Sequence, residues 1–327
     1  MRDVERKEKR RADGKWIGGV SASTPLVDAA ARVLTVRLEV VRDYLGLALR
    51  ESDKDPEYVH QLRVGTRRAG AAVEIFSSCL PEKVYKAARK LLKRLRRAAG
   101  EARDWDVFLM TLSEARAKNN SRHRAGLDFL TGYALAQRSI AQGHLHEASP
   151  DDPFAFDHFL ADTVAAVRKP PDGVHTLMDL AAPLLSALLS DLEQAAGADL
   201  SDYSRLHRVR ILGKRLRYAM EVFANCFPRP FREKFYPAVE QMQDILGRAN
   251  DSHVASQRLE VLCSKIQVVR PDDWKRLRPG IEALLQYHQQ RLPEERQRFL
   301  DWWRRWQRSG RGAAFSALLR SAEAAAL

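Results

Sequence analysis

The chain has 327 residues, with 55 Lys and Arg against 42 Asp and Glu, a formal net charge of +13 and a hydrophobic fraction of 45%. These values exclude an intrinsically disordered protein and leave room for one large domain or two of ordinary size. No run approaches the ~20 apolar residues of a membrane span. Three scattered cysteines fit neither a disulfide framework nor a CxxC metal site, which favours a reducing cytoplasm. The positive excess indicates a polyanionic partner such as nucleic acid, an anionic membrane or a phosphate polymer.

The spacing of apolar residues predicts an all-α protein. Residues 1–24 are charged and then rich in Gly and Ser, so we expect a mobile basic tail without a secretory signal. From residue 25 onward, Leu and Ala recur every three or four positions, which is typical of amphipathic helices, and no segment predicts a strand. Breaks that contain proline separate the segments. We expect helices over 25–50, 56–78, 82–99, 103–118, 122–147, 154–168, 174–197, 202–226, 230–247, 250–266 and 272–308, the last interrupted near Pro279 and Pro293.

An internal repeat organises these helices. Residues 60–107 align with 207–254 without a gap, at a constant offset of 147, and twelve of the 48 paired positions are identical. Average composition predicts roughly three identities over such a length. The sequence therefore predicts a duplicated helical bundle of about four to five helices. The first copy would occupy 25–170 and the second 171–327, with the boundary near the linker 169–173.

The helix at the centre of each copy carries a cationic stripe. His60, Arg63 and Arg67 share one face in the first copy, with Arg68 at its edge. The second copy has His207, Arg210, Lys214 and Arg217 on one face. In the first copy, Gly70 occupies the position equivalent to Arg217. The ordinary explanation is a solvated charged face, but such faces mix signs through i,i+4 pairs. A stripe that is nearly all cationic and recurs in both copies points instead to an anion.

The following helix of the first copy adds more charge. Residues 83–97 hold eight basic residues and no acid, and Lys86, Lys90, Lys93 and Arg97 share one face. Such density is self-repelling unless an anion fills it, and arginine forks match phosphate oxygens in pairs. The corresponding segment 230–247 is mixed in sign. We therefore expect the first copy to carry more of the ligand's charge.

Four segments together resemble the CHAD family, the conserved histidine α-helical domain: 60–68, 102–107, 206–221 and 246–251. The resemblance implies two helical bundles related by a pseudo-twofold axis, with the two basic helices lining a shared positive groove or pore. It implies binding of inorganic polyphosphate and association with polyphosphate granules. We expect a stand-alone cytoplasmic member of the family whose partners also include other polyanions. Carried over by position, the binding residues would be His60, Arg63, Arg67, Arg68, Lys86, Lys90, Lys93, Arg97, His207, Arg210, Lys214, Arg215 and Arg217.

Four acids near these cations have supporting roles in this interpretation. Glu74 and Glu221 would fix the rotamers of basic side chains. Asp104 and Asp251 would orient the cations, or else simply cap helices, because a carboxylate is favoured at a helix start.

Other chemistry for the two histidines is less well supported by the sequence. His60 and His207 have neither an acid nor a second His at ligand spacing, so we expect no metal and no cofactor. A histidine held by a backbone carbonyl is the plain alternative. No nucleophile and base form a recognisable catalytic set, so we expect a binding protein rather than an enzyme. Two alternatives stay open: a nucleic-acid-binding basic helical protein, and a phosphohydrolase or polyphosphate-modifying enzyme that uses His60 or His207.

Overall fold

The computed structural model describes residues 15–118, 121–150, 152, 154–170 and 173–325, and in these ranges the chain is all-α. Ten α-helices follow one another there: α1 (Leu26–Arg50), α2 (Glu57–Ile75), α3 (Glu82–Lys118), α4 (Ser121–Ala148), α5 (Ala155–Ala165), α6 (Leu177–Ala196), α7 (Tyr203–Phe223), α8 (Tyr236–Val269), α9 (Pro271–Arg308) and α10 (Arg311–Ala324). Short 3-10 turns follow α2 and α7, and a single π turn, Phe231–Phe235, precedes α8. None of the described helices combines the length and apolar composition that crossing a bilayer requires.

Four predicted interruptions are absent. The segments 82–99 and 103–118 form one helix, α3, and 230–247 and 250–266 lie within the π turn and α8. A glycine inside a helix costs only about 1 kcal/mol, and packing against neighbouring helices outweighs that cost. The helix α9 likewise continues through Pro279 and Pro293, since α8 and α4 both pack along it. The last helix, α10, was not predicted; it begins after Gly310, which has a positive φ of 62°.

The helices pack in the same order in both halves of the chain. In the first half α1 packs on α2, α2 on α3 and α3 on α4, while in the second half α6 packs on α7, α7 on α8 and α8 on α9. The helices α5 and α10 lie against α1 and α6, respectively. Contacts of α2 with α7 and of α4 with α9 join the halves. The division into two duplicated bundles at 25–170 and 171–327 stays a prediction from the sequence repeat.

The starts of α1 and α6 meet through a reciprocal pair of backbone hydrogen bonds. Leu26 N–H donates to the carbonyl oxygen of His175 at 2.8 Å, and Leu177 N–H donates to that of Thr24 at 2.9 Å. The two bonds bracket an isolated antiparallel bridge between Pro25 and Thr176. Each half thus begins by pairing with the other.

A close crossing of α4 over α9 also joins the halves. Gly126 and Gly280 face each other, and a Cβ on Gly126 would overlap the carbonyl oxygen of Leu277. A Cβ on Gly280 would overlap the carbonyl oxygen of His123 in the same way. The two helix backbones therefore approach each other more closely than any side chain would permit.

The segment 15–24 is packed, which corrects the predicted mobile tail over its described part. Ile17 is only 2% exposed, and Asn225 Nδ2 donates to its carbonyl oxygen at 2.8 Å. The Trp16 ring lies 4.7 Å from that of Tyr236. Burial of Ile17 and the aromatic contact hold the segment against the second half of the chain. Residues 1–14, the rest of the predicted tail, lie outside the described residues.

Candidate functional site

A basic cleft opens where α2 meets α7. Its volume is about 1280 Å³. Four acids line the cleft, against ten basic side chains. The basic side chains come from α2, α3, α7 and α8: Arg63, Arg67, Arg89, Lys93, Arg96, Arg97, Arg210, Lys214, Arg215 and Arg258. The two cationic helices that the repeat identified therefore contribute to one cavity.

Four basic side chains from the two repeated helices form the centre of this cleft, and few carboxylates lie near them. Arg63 pairs with Asp104 at 3.2 Å between Nη2 and Oδ1. Within the described parts of the chain, no carboxylate lies within ion-pair distance of Arg67, Arg210 or Lys214. The buried Nε of Arg210 also lacks a hydrogen-bond partner among those residues. Buried donors without acceptors are costly, so this arrangement favours an anionic ligand.

Burial and the excess of positive charge both lower the pKa of Lys214. Burial and the neighbouring Arg67, Arg210 and Arg63 lower the pKa of Lys214 to about 5. Burial and Arg67 also lower the pKa of Arg63 to about 10. Both effects disfavour the charged form. In the free protein the Lys214 side chain is therefore a neutral amine near pH 7.

The two histidines lie near the starts of α2 and α7 and do not line the cleft. Each keeps a buried Nδ1 without a hydrogen-bond partner among the described residues. Burial, and then the charge of Arg103, lowers the pKa of His60. Burial, and then the charge of Arg210, lowers the pKa of His207. Both imidazoles are therefore neutral at pH 7. Because neither lines the cleft, only a ligand that extends beyond the cleft could contact them directly.

Arg68 and Arg217 were predicted to bind the ligand, but in the structure both lie next to Glu221. Arg68 Nε donates to Glu221 Oε2 at 2.8 Å, and Arg37 of α1 lies 3.6 Å from the same oxygen. Tyr236 donates its hydroxyl proton to Glu221 Oε1 at 2.8 Å. Arg217 lies 4.0 Å from Glu221. Glu221 is fully buried, so it gathers these groups beside the cleft instead of standing at the edge of an exposed stripe.

Only part of the predicted face of α3 reaches the cleft. Lys93 and Arg97 line it, together with Arg89 and Arg96, which the helical projection had not selected. Lys86 lies outside the lining and pairs with Glu82 of its own helix, and Lys90 also lies outside it. The face of α3 that turns to α2 is thus rotated slightly from the predicted one.

The remaining predicted residues occupy the rim. Arg215 and Glu74 line the cleft, and Glu74 lies 3.7 Å from Arg89. Asp251 lies outside the lining, but its charge acts on Arg63 and Arg210. Arg258 was not predicted: its guanidinium lies 3.7 Å from the Trp105 ring centroid. No repeated motif marks this residue in the sequence.

One wall of the cleft is apolar. The helix α6 contributes Leu180, Leu184 and Leu188 at four-residue spacing, and α7 contributes Ile211, which is 46% exposed. Asp191 stands at the end of this row. The sequence predicted α6 but not the orientation of this face, because its leucines are also the residues expected in a core.

Metal ligands do not cluster in the described ranges. No three His, Cys, Asp or Glu side chains there are arranged to hold an ion.

The sequence model of the CHAD domain matches residues 32–260, which is more than half of the chain. The chain belongs to the CHAD family. All the residues that line the cleft fall inside the CHAD match, whereas α9 and α10 follow it.

Two solved structures share the fold. The crystal structure of the CHAD domain from the plant Ricinus communis superposes with a TM-score of 0.61 at 23% identity, covering 82% of this chain and 95% of that one. PptA from Streptomyces chartreusis gives a TM-score of 0.63 at 18% identity, covering 86% of this chain and 100% of that one. At these identities the likeness shows the fold alone. The comparison with curated proteins found no match.

Proposed function

We propose that this CHAD protein binds inorganic polyphosphate in the cleft between α2 and α7. The observation that carries the proposal is the group of Arg63, Arg67, Arg210 and Lys214, which comes from both repeated helices. Among the described residues, its one ion pair is that of Arg63 with Asp104. A linear chain of phosphates supplies closely spaced negative charges, and arginines bind such oxygens with paired, charge-assisted hydrogen bonds. The polyphosphate binding implied by the family resemblance points to the same ligand.

The ligand would extend over α3 as well as the central group. Lys93, Arg96 and Arg97 continue the cationic lining away from α2 and α7, while the second half contributes fewer cations at the corresponding positions of α8. A phosphate chain would therefore begin at the central group and run along α3. Granule association in the cytoplasm would follow from the same affinity.

Binding without turnover is the role that we infer. The titratable groups of the cleft are mainly cations, and both histidines lie outside its lining. A phosphate chain held there would meet positive charge on several sides but no imidazole positioned as a general base.

Isothermal titration with a linear polyphosphate of defined length tests the proposal. We expect saturable binding, displacement of a bound oligonucleotide by polyphosphate, and no release of orthophosphate when a divalent metal is added. Displacement of polyphosphate by an oligonucleotide at equal charge concentration would favour the nucleic-acid alternative. Steady phosphate release that His60→Ala or His207→Ala abolishes would favour the enzymatic one.

A further inference from the structure

The apolar wall of the cleft has no role in binding a bare phosphate chain. Leu180, Leu184 and Leu188 form a continuous row on α6, and Ile211 of α7 lines the same cavity. Single exposed apolar residues are common on protein surfaces and need no explanation. The three leucines are half-buried and pack partly on the core, but together with the exposed Ile211 they line one cavity that ten basic side chains also line. They offer apolar contact to a ligand whose phosphates lie against the arginines.

Polar groups stand beside this wall. Asp191 follows Leu188 by three residues on α6, and Ser77 and Ser78 line the cavity from the turn after α2. In the described ranges, no cation lies within ion-pair distance of Asp191. A carboxylate repels phosphates but accepts hydrogen bonds from hydroxyl groups. An alkyl chain would gain nothing from these groups, whereas a sugar would.

We infer that the cleft takes a nucleoside polyphosphate, with the phosphate chain on Arg63, Arg67, Arg210 and Lys214 and the nucleoside against Leu184, Leu188 and Ile211. The base would cover the leucine row, and the ribose hydroxyls would donate to Asp191. This inference rests on the proposed function for the binding of phosphates by the basic side chains. It adds that the apolar wall of the cleft selects a ligand with a nucleoside.

A matched pair of ligands separates the two halves of the proposal. ATP and inorganic tripolyphosphate carry three phosphates each, and only ATP has a nucleoside. By titration calorimetry without metal, we expect ATP to bind about tenfold more tightly, although it carries less negative charge, because it buries apolar surface on α6. Deoxyadenosine triphosphate should bind more weakly than ATP.

Three variants locate the effect. Ile211→Asn should reduce the preference of ATP over tripolyphosphate toward one and leave tripolyphosphate binding unchanged. Asp191→Ala removes the proposed hydrogen-bond acceptor and should abolish the preference for ATP over the deoxynucleotide. Val261→Asn is the matched control, since Val261 is 56% exposed on α8 and lies outside the cleft. Because Ile211 and Asp191 are both exposed, these substitutions should leave the fold intact.

The outcomes distinguish this inference from the proposed function. If tripolyphosphate binds and ATP binds no more tightly, the nucleoside inference is wrong and polyphosphate binding stands. If neither ligand binds, the nucleoside inference and the proposed polyphosphate binding are both wrong. If farnesyl diphosphate binds more tightly than ATP, the wall serves a lipid and the nucleoside inference is wrong. If ATP alone binds, the inference holds and polyphosphate is not the ligand.

Discussion

Arg68 of α2 donates its Nε proton to Glu221 of α7 across 2.8 Å, and Glu221 is completely buried. The pair connects the two cationic helices directly beside the cleft. Arg37 and Tyr236 hold the same carboxylate from α1 and α8. One acid therefore orders four helices around the proposed binding site.

Removing that carboxylate should destabilise the fold strongly. Glu221→Gln removes the buried negative charge that Arg68 and Arg37 contact, and breaking a buried pair from one side costs about 3–5 kcal/mol. Urea denaturation followed by circular dichroism measures the loss. The control is Glu74→Gln, the exposed counterpart in the first copy, which should change the free energy of unfolding by less than about 0.5 kcal/mol. Equal effects at the two positions would contradict the structural role of Glu221.

Polyphosphate affinity should depend on the central arginines. We expect Arg63→Ala with Arg210→Ala to weaken binding by at least about 100-fold, because each charge-assisted hydrogen bond contributes about 1.5–3 kcal/mol. The helical circular dichroism signal should stay unchanged. Lys86→Ala with Lys90→Ala removes the same charge from outside the cleft and should have little effect in the same titration. If the Lys86 and Lys90 variant weakened binding as much, net charge rather than the cleft would bind the ligand.

Binding should weaken steeply with salt. Neutralising phosphates releases counterions, so the logarithm of the affinity should fall linearly with the logarithm of salt concentration, by analogy with DNA. The slope should become shallower by about two in the Arg63→Ala, Arg210→Ala variant, which loses two phosphate contacts. Titrations at four salt concentrations give both slopes. An affinity independent of salt would point to a ligand bound without its phosphates.

Binding should also take up a proton at Lys214. The free pKa of about 5 rises when a polyanion lies beside the amine, since negative charge favours the ammonium form. Between pH 5 and the bound pKa, one proton is therefore taken up, and affinity falls as the pH rises through that window. Calorimetry at pH 8 in two buffers of different ionisation enthalpy counts this proton.

The Lys214→Met variant should lose the uptake at pH 8, and Lys93→Met, at the exposed part of the cleft, should retain it. The pKa values of His60 and His207 are both lowered, which confines any proton uptake by these histidines to more acidic solutions. Uptake that persists in the Lys214 variant would return the role to another group.

The glycines between α4 and α9 should not tolerate a side chain. Gly126→Ala places a methyl group against the Leu277 carbonyl, and overpacking of this kind costs about 1–3 kcal/mol. Gly132→Ala is the control on the same helix, since its Cβ would meet open space and should stabilise the helix by up to about 1 kcal/mol. Thermal denaturation should give shifts of opposite sign. A stable Gly126→Ala protein would mean that the helices separate more easily than the crossing indicates.

The repeat carried most of what the sequence could predict. It identified α2 and α7, and it selected Arg63, Arg67, Arg210 and Lys214, which lie together in the cleft. A helical projection gives the faces of one helix but not which of two adjacent faces meets its neighbour. Arg68 was therefore assigned to the ligand, although it turns toward Glu221.

Contacts between distant segments were beyond the sequence. Arg37 is buried in α1, where a charged residue in an amphipathic pattern is expected to face water. Its burial depends on Glu221, 184 positions later in the chain. The leucine row of α6 has the same limitation, because whether an apolar face covers a core or lines a cavity is decided by the helices that surround it.

The packing of residues 15–24 decides at which residue a recombinant form of the protein should begin. Trp16 rests on Tyr236, and the Tyr236 hydroxyl reaches the carboxylate that joins α2 to α7. Trimming the chain at Leu26, the first residue of α1, would uncover that tyrosine and take away the backbone oxygen that Arg37 binds at Lys15. Residue 15 is therefore the latest start that preserves the native surroundings of the cleft.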